Sequence, residues 1–275
     1  MSCQAPVVET SIQWAAACAV QQRFMQPPRQ PQQQQQQQLQ QEPQPHQQQR
    51  HSSSNQDMFT CSAECRQLYE LGGDCFDFWR LPDNRLALTV ADASGKGLPA
   101  ALMISNVQSS LRTAALFTAN DGAAVLGAVN RQVFASSLAD RYATLFYGVF
   151  DETTRTLEYA NAGHNPPMVI GRGAPVVWLE AGGAPVGMFP DWHYEKAAVQ
   201  LQPGDLVIAY TDGVVEAQNP AGHEWGVEGL QKAAAAAQTT AKSAEEIVQA
   251  IFTAMEEFSC ENQTDDATIL VLRVN

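Results

Sequence analysis

The stretch RLALTVADASGKGLPAALMIS, residues 85–105, decides the fold. Asn84–Asp92 reads as a strand apolar enough to be covered on both faces. It runs into an aspartate, crosses two glycines, and Gly97-Leu98-Pro99 then opens a long apolar helix to about Thr118. Proline is tolerated in a helix's first turn, where its missing N–H would have no partner anyway. Asp121-Gly122 can cap a second helix to about Leu138. Two strands follow, Ala143–Asp151 and Thr156–Ala160, joined by a Glu-Thr-Thr-Arg turn with the signature of a hairpin.

Further out, Phe59–Glu64 reads as a strand, and shorter strands are expected at Pro167–Ile170, Val176–Leu179, Tyr194–Leu201 and Asp205–Tyr210. Two helices come late, Val227–Ala237 and Ser243–Phe258, the second opened by the capping box of Ser243 and Glu246. Ala267–Val274 closes the chain as a strand. Strands and helices do not alternate one for one, which argues against a doubly wound parallel sheet. The order predicts an α+β fold with sheets in the middle and helices outside.

The first fifth of the 275 residues differs from the rest. Residues 26–56 are mostly glutamine with prolines, and offer little apolar surface to offset the entropy of ordering. They are expected to be a disordered linker, with the folded unit over 57–275. Ahead of them, Ile12, Ala15, Ala16, Val20 and Phe24 recur at helical spacing, so 1–25 is expected to hold a short helical segment ended by Pro27-Pro28. Such a helix is marginal alone, and a homodimer through it is one expectation for its partner.

The formal net charge is −13. Arg23, Arg29 and Arg50 balance Glu9, Glu42 and Asp57, so the imbalance falls on the remainder of the chain. That argues against nucleic-acid binding, which needs a basic face. Six cysteines show no C-x-x-C pair, although Cys61 and Cys65 share one face of a strand. With no leader pattern and no membrane span (the run 14–20 is too short), a reduced cytoplasmic setting is expected.

Four acidic motifs share one local pattern, an aspartate at a strand end beside small residues. They are Gly72-Gly73-Asp74, Ala91-Asp92-Ala93-Ser94-Gly95, Thr211-Asp212-Gly213 and Asp265-Asp266-Ala267. One Asp-Gly alone reads as a turn. When apolar strands such as LALTV and LVIAY each run into an aspartate, a shared cation site at one sheet edge is the economical explanation, because unpaired buried charge is costly. Oxygen-only ligands suit hard cations such as Mg²⁺ and Mn²⁺. Ser94-Gly95-Lys96-Gly97 is not a Walker loop, since no glycine precedes it at the required spacing.

Six motifs in order, ELGGDCFDFW (70–79), LTVADASGKGLPAALMIS (88–105), YATLFYGVFD (142–151), YANAGHNPP (159–167), GDLVIAYTDGVVEA (204–217) and TDDATILVL (264–272), resemble the SpoIIE-like branch of the PPM (protein phosphatase 2C-like) serine/threonine phosphatases. The resemblance implies a phosphatase domain over 57–275 with a layered β-sandwich flanked by helices, and a centre of two Mn²⁺ or Mg²⁺ ions. By motif position Asp92 would bridge both ions, with the Ala93 carbonyl as a further ligand. Asp212 and Asp265 would hold one ion, and Asp74 would bind through water. Asp266 would orient the site.

The ions would activate a water for in-line attack on phosphorus. Eukaryotic relatives carry a histidine where this chain has Ser94, and His164 is either a substitute proton donor or a turn histidine. The implied activity is hydrolysis of phosphoserine or phosphothreonine on a regulatory protein of the anti-sigma-factor-antagonist type. Two other readings stay open, a catalytically silent module of the same fold and a phosphatase for small phosphorylated metabolites. The linker helix of such proteins often couples a sensor to the phosphatase. Here a sensor would be absent or supplied by another chain.

Overall fold

In the computed structural model, the residues described are 46–51, 58–69, 71–118, 121–137, 141–260 and 262–275. The expected helix at 10–25 and most of the expected linker lie outside them. Among the described residues, twelve strands fall into two sheets. One runs β1(His46–His51), β2(Phe59–Arg66), β12(Ala267–Val274), β11(Leu206–Tyr210), β7(Met168–Ile170), β8(Val177–Trp178). The other runs β10(Ala197–Gln200), β6(Thr156–Ala162), β5(Ala143–Asp151), β4(Arg85–Ala93), β3(Asp74–Leu81), with β9(Gly182–Gly183) pairing in parallel on β6. All other pairings are antiparallel.

The period of two along each strand sorts side chains into layers. On β4, Leu86, Leu88 and Val90 enter the core between the sheets, while Ala87 and Ala91 face the helices. On β12, Leu270, Leu272 and Val274 point between the sheets, and Ile269 and Val271 point outward. Helices α1(Leu98–Thr118) and α2(Gly122–Ser136) cover the outer face of the β4 sheet. Across the sandwich, α4(Gly226–Thr240) and α5(Ala244–Ser259) cover the β12 sheet. Between β11 and α4 lies one turn of helix, α3(Asp212–Val215). This is the α-β-β-α layering the sequence implied, and it meets the general requirement that each apolar face be buried on another element.

Local chemistry accounts for the joints. The Asp121 carboxylate accepts from the Ala124 amide to start α2, and Ser243 accepts from Glu246 to start α5. The returning half of that box reaches Lys242, whose amide donates to Glu246 at 2.7 Å. The β5–β6 turn is tied by Asp151, which accepts from the amides of both Thr153 and Thr154.

Two readings need correction. Residues 46–51, assigned to the linker, form strand β1 in register with β2, from His46↔Arg66 to His51↔Cys61. Strand pairing is a main-chain interaction, and the exposed edge of β2 offers it whatever the side chains. That sheet therefore includes described residues ahead of 57. Strand β3 was not anticipated, because Asp77 interrupts its apolar pattern. Asp77 is fully buried and takes two bonds from Arg112 of α1, both 2.7 Å, so the charge is paired rather than exposed. The strand expected over 194–201 is confined to Ala197–Gln200. Among the described residues no helix is long and apolar enough to cross a membrane.

Candidate active site

The sandwich layer between the sheets does not end in apolar residues. Asp74 and Asp92 face each other as a register pair of β3 and β4, continuing the inward rows of Phe76 and Phe78 on one strand and Leu88 and Val90 on the other. From the opposite sheet, Thr211 and Thr268 reach across. Both hydroxyls donate to Oδ2 of Asp74, at 2.6 and 2.7 Å. The Thr211 oxygen also accepts from the Thr268 amide at 2.9 Å, which locks the pair together. One carboxylate oxygen of Asp74 is therefore held by two sheets at once.

Asp266 works at a different point. Its two oxygens accept from the amides of Leu68, at 2.8 Å, and Gly73, at 2.9 Å. It thus fixes the 68–73 turn that delivers Asp74. Gly72 is needed there, because a Cβ would stand 2.3 Å from Asp266 Oδ2. The Ala93 amide donates to the Gly73 carbonyl at 3.0 Å and completes the edge of the β3–β4 ladder. Asp212 opens α3 directly after Thr211. Asp265 accepts from the Asp266 amide on one oxygen and from Lys96 Nζ on the other, at 2.9 and 2.7 Å.

The charges feel one another. Burial pushes Asp92 up to about 7, and the carboxylates of Asp212, Asp265 and Asp266 add to the rise against a smaller opposing pull from Lys96. Asp74 is raised well above the ordinary range, first by burial and then by Asp92, with the two threonine hydroxyls opposing. Burial also raises Asp212, with Asp265 adding to it and the Gly213 amide opposing. Like charges gathered at the mouth of an apolar layer are the chemistry a divalent cation relieves, and an oxygen-only donor set is the one Mg²⁺ and Mn²⁺ take. By that test the residues fit. Among the described residues, no three His, Cys, Asp or Glu side chains are already closed into a metal-holding group, and Asp265 is turned onto Lys96.

Ser94 and His164 sit behind this edge. Ser94 exchanges bonds with the next strand: its amide donates to the Tyr142 carbonyl at 2.9 Å, and its hydroxyl oxygen accepts from the Tyr142 amide at 3.1 Å. His164 is buried, with its main chain clasped by Asn161. Its Nδ1 lies 2.8 Å from the Thr144 hydroxyl, and Thr144 is within 3.4 Å of the Asp92 carbonyl. Burial pushes the imidazole down to about 4, against a weaker upward pull from the Tyr210 main chain. A buried ring behind Asp92 can brace the strand end through Thr144.

Three cysteines are enclosed in the sandwich. Cys61, Cys65 and Cys75 are buried free thiols, and burial raises each of them, away from the thiolate a nucleophile needs. Sequence reasoning missed the roles of Thr211, Thr268 and Lys96. The two threonines could have been found by stepping two residues along each strand from its last inward residue, Ala209 on β11 and Leu270 on β12.

A family model for stage II sporulation protein E (SpoIIE) matches residues 82–275. Protein IcfG of Synechocystis sp. is 29% identical over 188 residues, 59% of this chain and 30% of that protein. Phosphoserine phosphatase RsbU of Bacillus subtilis is 28% identical over 205 residues, 74% of this chain and 60% of that one. The chain thus spans less than two thirds of either relative. Among solved structures, the RsbU and RsbW domains of a Mycobacterium tuberculosis protein align with TM-score 0.66 and 26% identity, over 79% of this chain and 60% of that one. The PP2C domain of SiaA from Pseudomonas aeruginosa aligns with TM-score 0.66 and 25% identity, over 78% and 85%. Fold, motif order and sequence agree, and the chain belongs to the SpoIIE family of PPM (protein phosphatase 2C-like) proteins.

Proposed function

We propose that this chain is a metal-dependent phosphatase that hydrolyses phosphoserine or phosphothreonine on a regulatory protein of the anti-sigma-factor-antagonist type. The observation that supports the reading is that Asp74 and Asp92 face each other at one end of the inter-sheet layer, and that burial together with neighbouring carboxylates raises Asp74, Asp92 and Asp212. The name of one relative, phosphoserine phosphatase RsbU, points to the substrate class.

Asp92, the Ala93 carbonyl, Asp212 and Asp265 would hold two Mn²⁺ or Mg²⁺ ions, with Asp74 acting through water. Bound there, two such ions supply charge neutralisation and an activated water for attack on phosphorus. The chain's own residues then have three tasks. Thr211 and Thr268 hold Asp74 in one rotamer and favour its ionised form. Asp266 keeps the 68–73 turn in place. Asp265, paired with Lys96, would have to give up that lysine to hold a divalent cation, which would leave the lysine at the mouth of the site.

The Lys96–Asp265 ion pair also supports a second reading, a silent module of the same fold whose lysine stands in for a cation. One experiment separates the two. Calorimetric titration with Mn²⁺, followed by hydrolysis of a phosphoserine peptide with and without chelator, should show metal binding and chelator-sensitive turnover. Absence of both at millimolar metal would sink the phosphatase reading in favour of the silent module.

A further inference from the structure

A phosphorylated serine carries about −1.5 to −2 charges at neutral pH, yet the site it would enter is lined by aspartates. Metal ions offset part of that repulsion, and the side of the phosphoryl group away from them needs its own donors. Two cations flank the loop between β4 and α1. Lys96 is a single-point ammonium held by Asp265 at 2.7 Å until a cation displaces it. Arg141 is not so committed. Its Nη1 donates to the Ser94 carbonyl at 3.2 Å, and it makes no other side-chain bond among the described residues.

The β4–β5 ladder fixes where Arg141 stands. Asp92 pairs with Thr144 and Ala93 with Ala143. Ser94 and Tyr142 then close two further bonds, at 2.9 and 3.1 Å. Arg141 therefore comes opposite Gly95, three residues beyond the Asp92 pair, about 10 Å at the rise of an extended chain. Its guanidinium lies over Gly95, which has φ +96 and where a Cβ would meet Nη1 at 2.6 Å. The positive φ favours glycine, and a Cβ there would push the guanidinium aside. Behind it, Ala143 and Val186 exchange main-chain bonds of 2.9 Å each, so the start of β5 is held from both sides. The result is a planar, permanently charged fork over the loop that follows Asp92, with donors to spare. That is the group best suited to two phosphate oxygens at once.

We infer that Arg141 is the phosphate-binding residue of this site, gripping the phosphoryl oxygens of the incoming phosphoserine side chain on the face opposite the carboxylates. This rests on the phosphatase reading. The competing role is a clamp that merely shapes the Ser94–Gly95 loop, and kinetics separate the two.

In Arg141→Ala, the KM for a phosphoserine peptide and the Ki for inorganic phosphate should both rise tenfold or more, on the order of one lost charge-assisted bond. Turnover should fall less, and Arg141→Lys should recover part of the loss. Unchanged KM and Ki, or a loss of kcat alone with Ki intact, would overturn the inference and leave the clamp. Should the alanine variant fail to fold, Arg141→Lys and Arg141→Gln carry the same comparison. If the wild type proves inactive, titration of inorganic phosphate into Mn²⁺-loaded wild type and variant still reads the anion site. Weaker binding by the variant supports the role of Arg141 although the phosphatase reading has failed, and equal binding overturns it.

Discussion

Asp92→Asn should stabilise the metal-free protein, by an amount that grows with pH. In the fold the Asp92 carboxyl is pushed up to about 7 from an ordinary 3.8, through burial and the nearby carboxylates of Asp212, Asp265 and Asp266. Below about pH 4 both folded and unfolded chains hold the proton, and the residue costs nothing. Between 4 and 7 the unfolded chain gives up its proton first, so folding must take one up and stability falls. Above 7 the folded state is ionised too, and the full penalty is present. At about 1.4 kcal/mol per tenfold in proton affinity, the penalty is about 1.6 kcal/mol at pH 5 and about 4 kcal/mol at pH 8.

Asparagine has no proton to take up, so the stability gap between variant and wild type should widen by about 2–3 kcal/mol over that range. Urea unfolding in chelator at pH 5, 6, 7 and 8 measures it directly. Adding Mn²⁺ at a hundred times its dissociation constant should then close most of that gap at pH 8. A cation that binds only the folded wild type returns about 2.7 kcal/mol at a hundred times its dissociation constant, and the variant would lack the carboxylate proposed to bridge the ions. Parallel pH curves for the two proteins would refute the charge-crowding argument, and with it the reason for expecting a cation.

Thr211→Val and Thr268→Val each remove one hydroxyl from Asp74 Oδ2. Each should weaken Mn²⁺ binding by about tenfold or more in a calorimetric titration, with Thr211→Val the worse because it also strands the Thr268 amide. Arg112→Leu leaves the fully buried Asp77 with Gln108 alone, at 3.2 Å. It should cost about 3–5 kcal/mol in urea unfolding, as expected when one partner of a buried ion pair is removed.

Most of the layering could be read from the sequence because it rests on period-two apolar patterns with no competing signal. Ala143–Asp151 and Ala267–Val274 are strands with the expected bounds, and the Asp121 and Ser243 caps mark helix starts through side-chain chemistry that depends on no distant contact. What escaped depends on partners far away in the chain. Asp77 hides strand β3 until Arg112, thirty-five residues on, neutralises it. Strand β1 is glutamine-rich, and the edge of β2 supplies what its composition lacks.

The same division runs through the site. Each aspartate motif announces itself by a carboxylate where an apolar strand ends, and that much is local. How the four differ is not. Asp74 takes its constraint from Thr211 and Thr268, which belong to the other sheet, and it meets Asp92 only through a register set by the unforeseen β3. Asp266, adjacent in sequence to Asp265, spends both oxygens on main-chain amides some 190 residues earlier. Asp265 spends one on Lys96. Neighbours in sequence thus divide into a support and an exposed, exchangeable carboxylate, because one is enclosed and the other has a side chain 45% exposed. Solvent access, rather than residue type, decides which carboxylate is free to trade a lysine for a metal ion, and so makes the Lys96–Asp265 pair the contact to watch during metal loading.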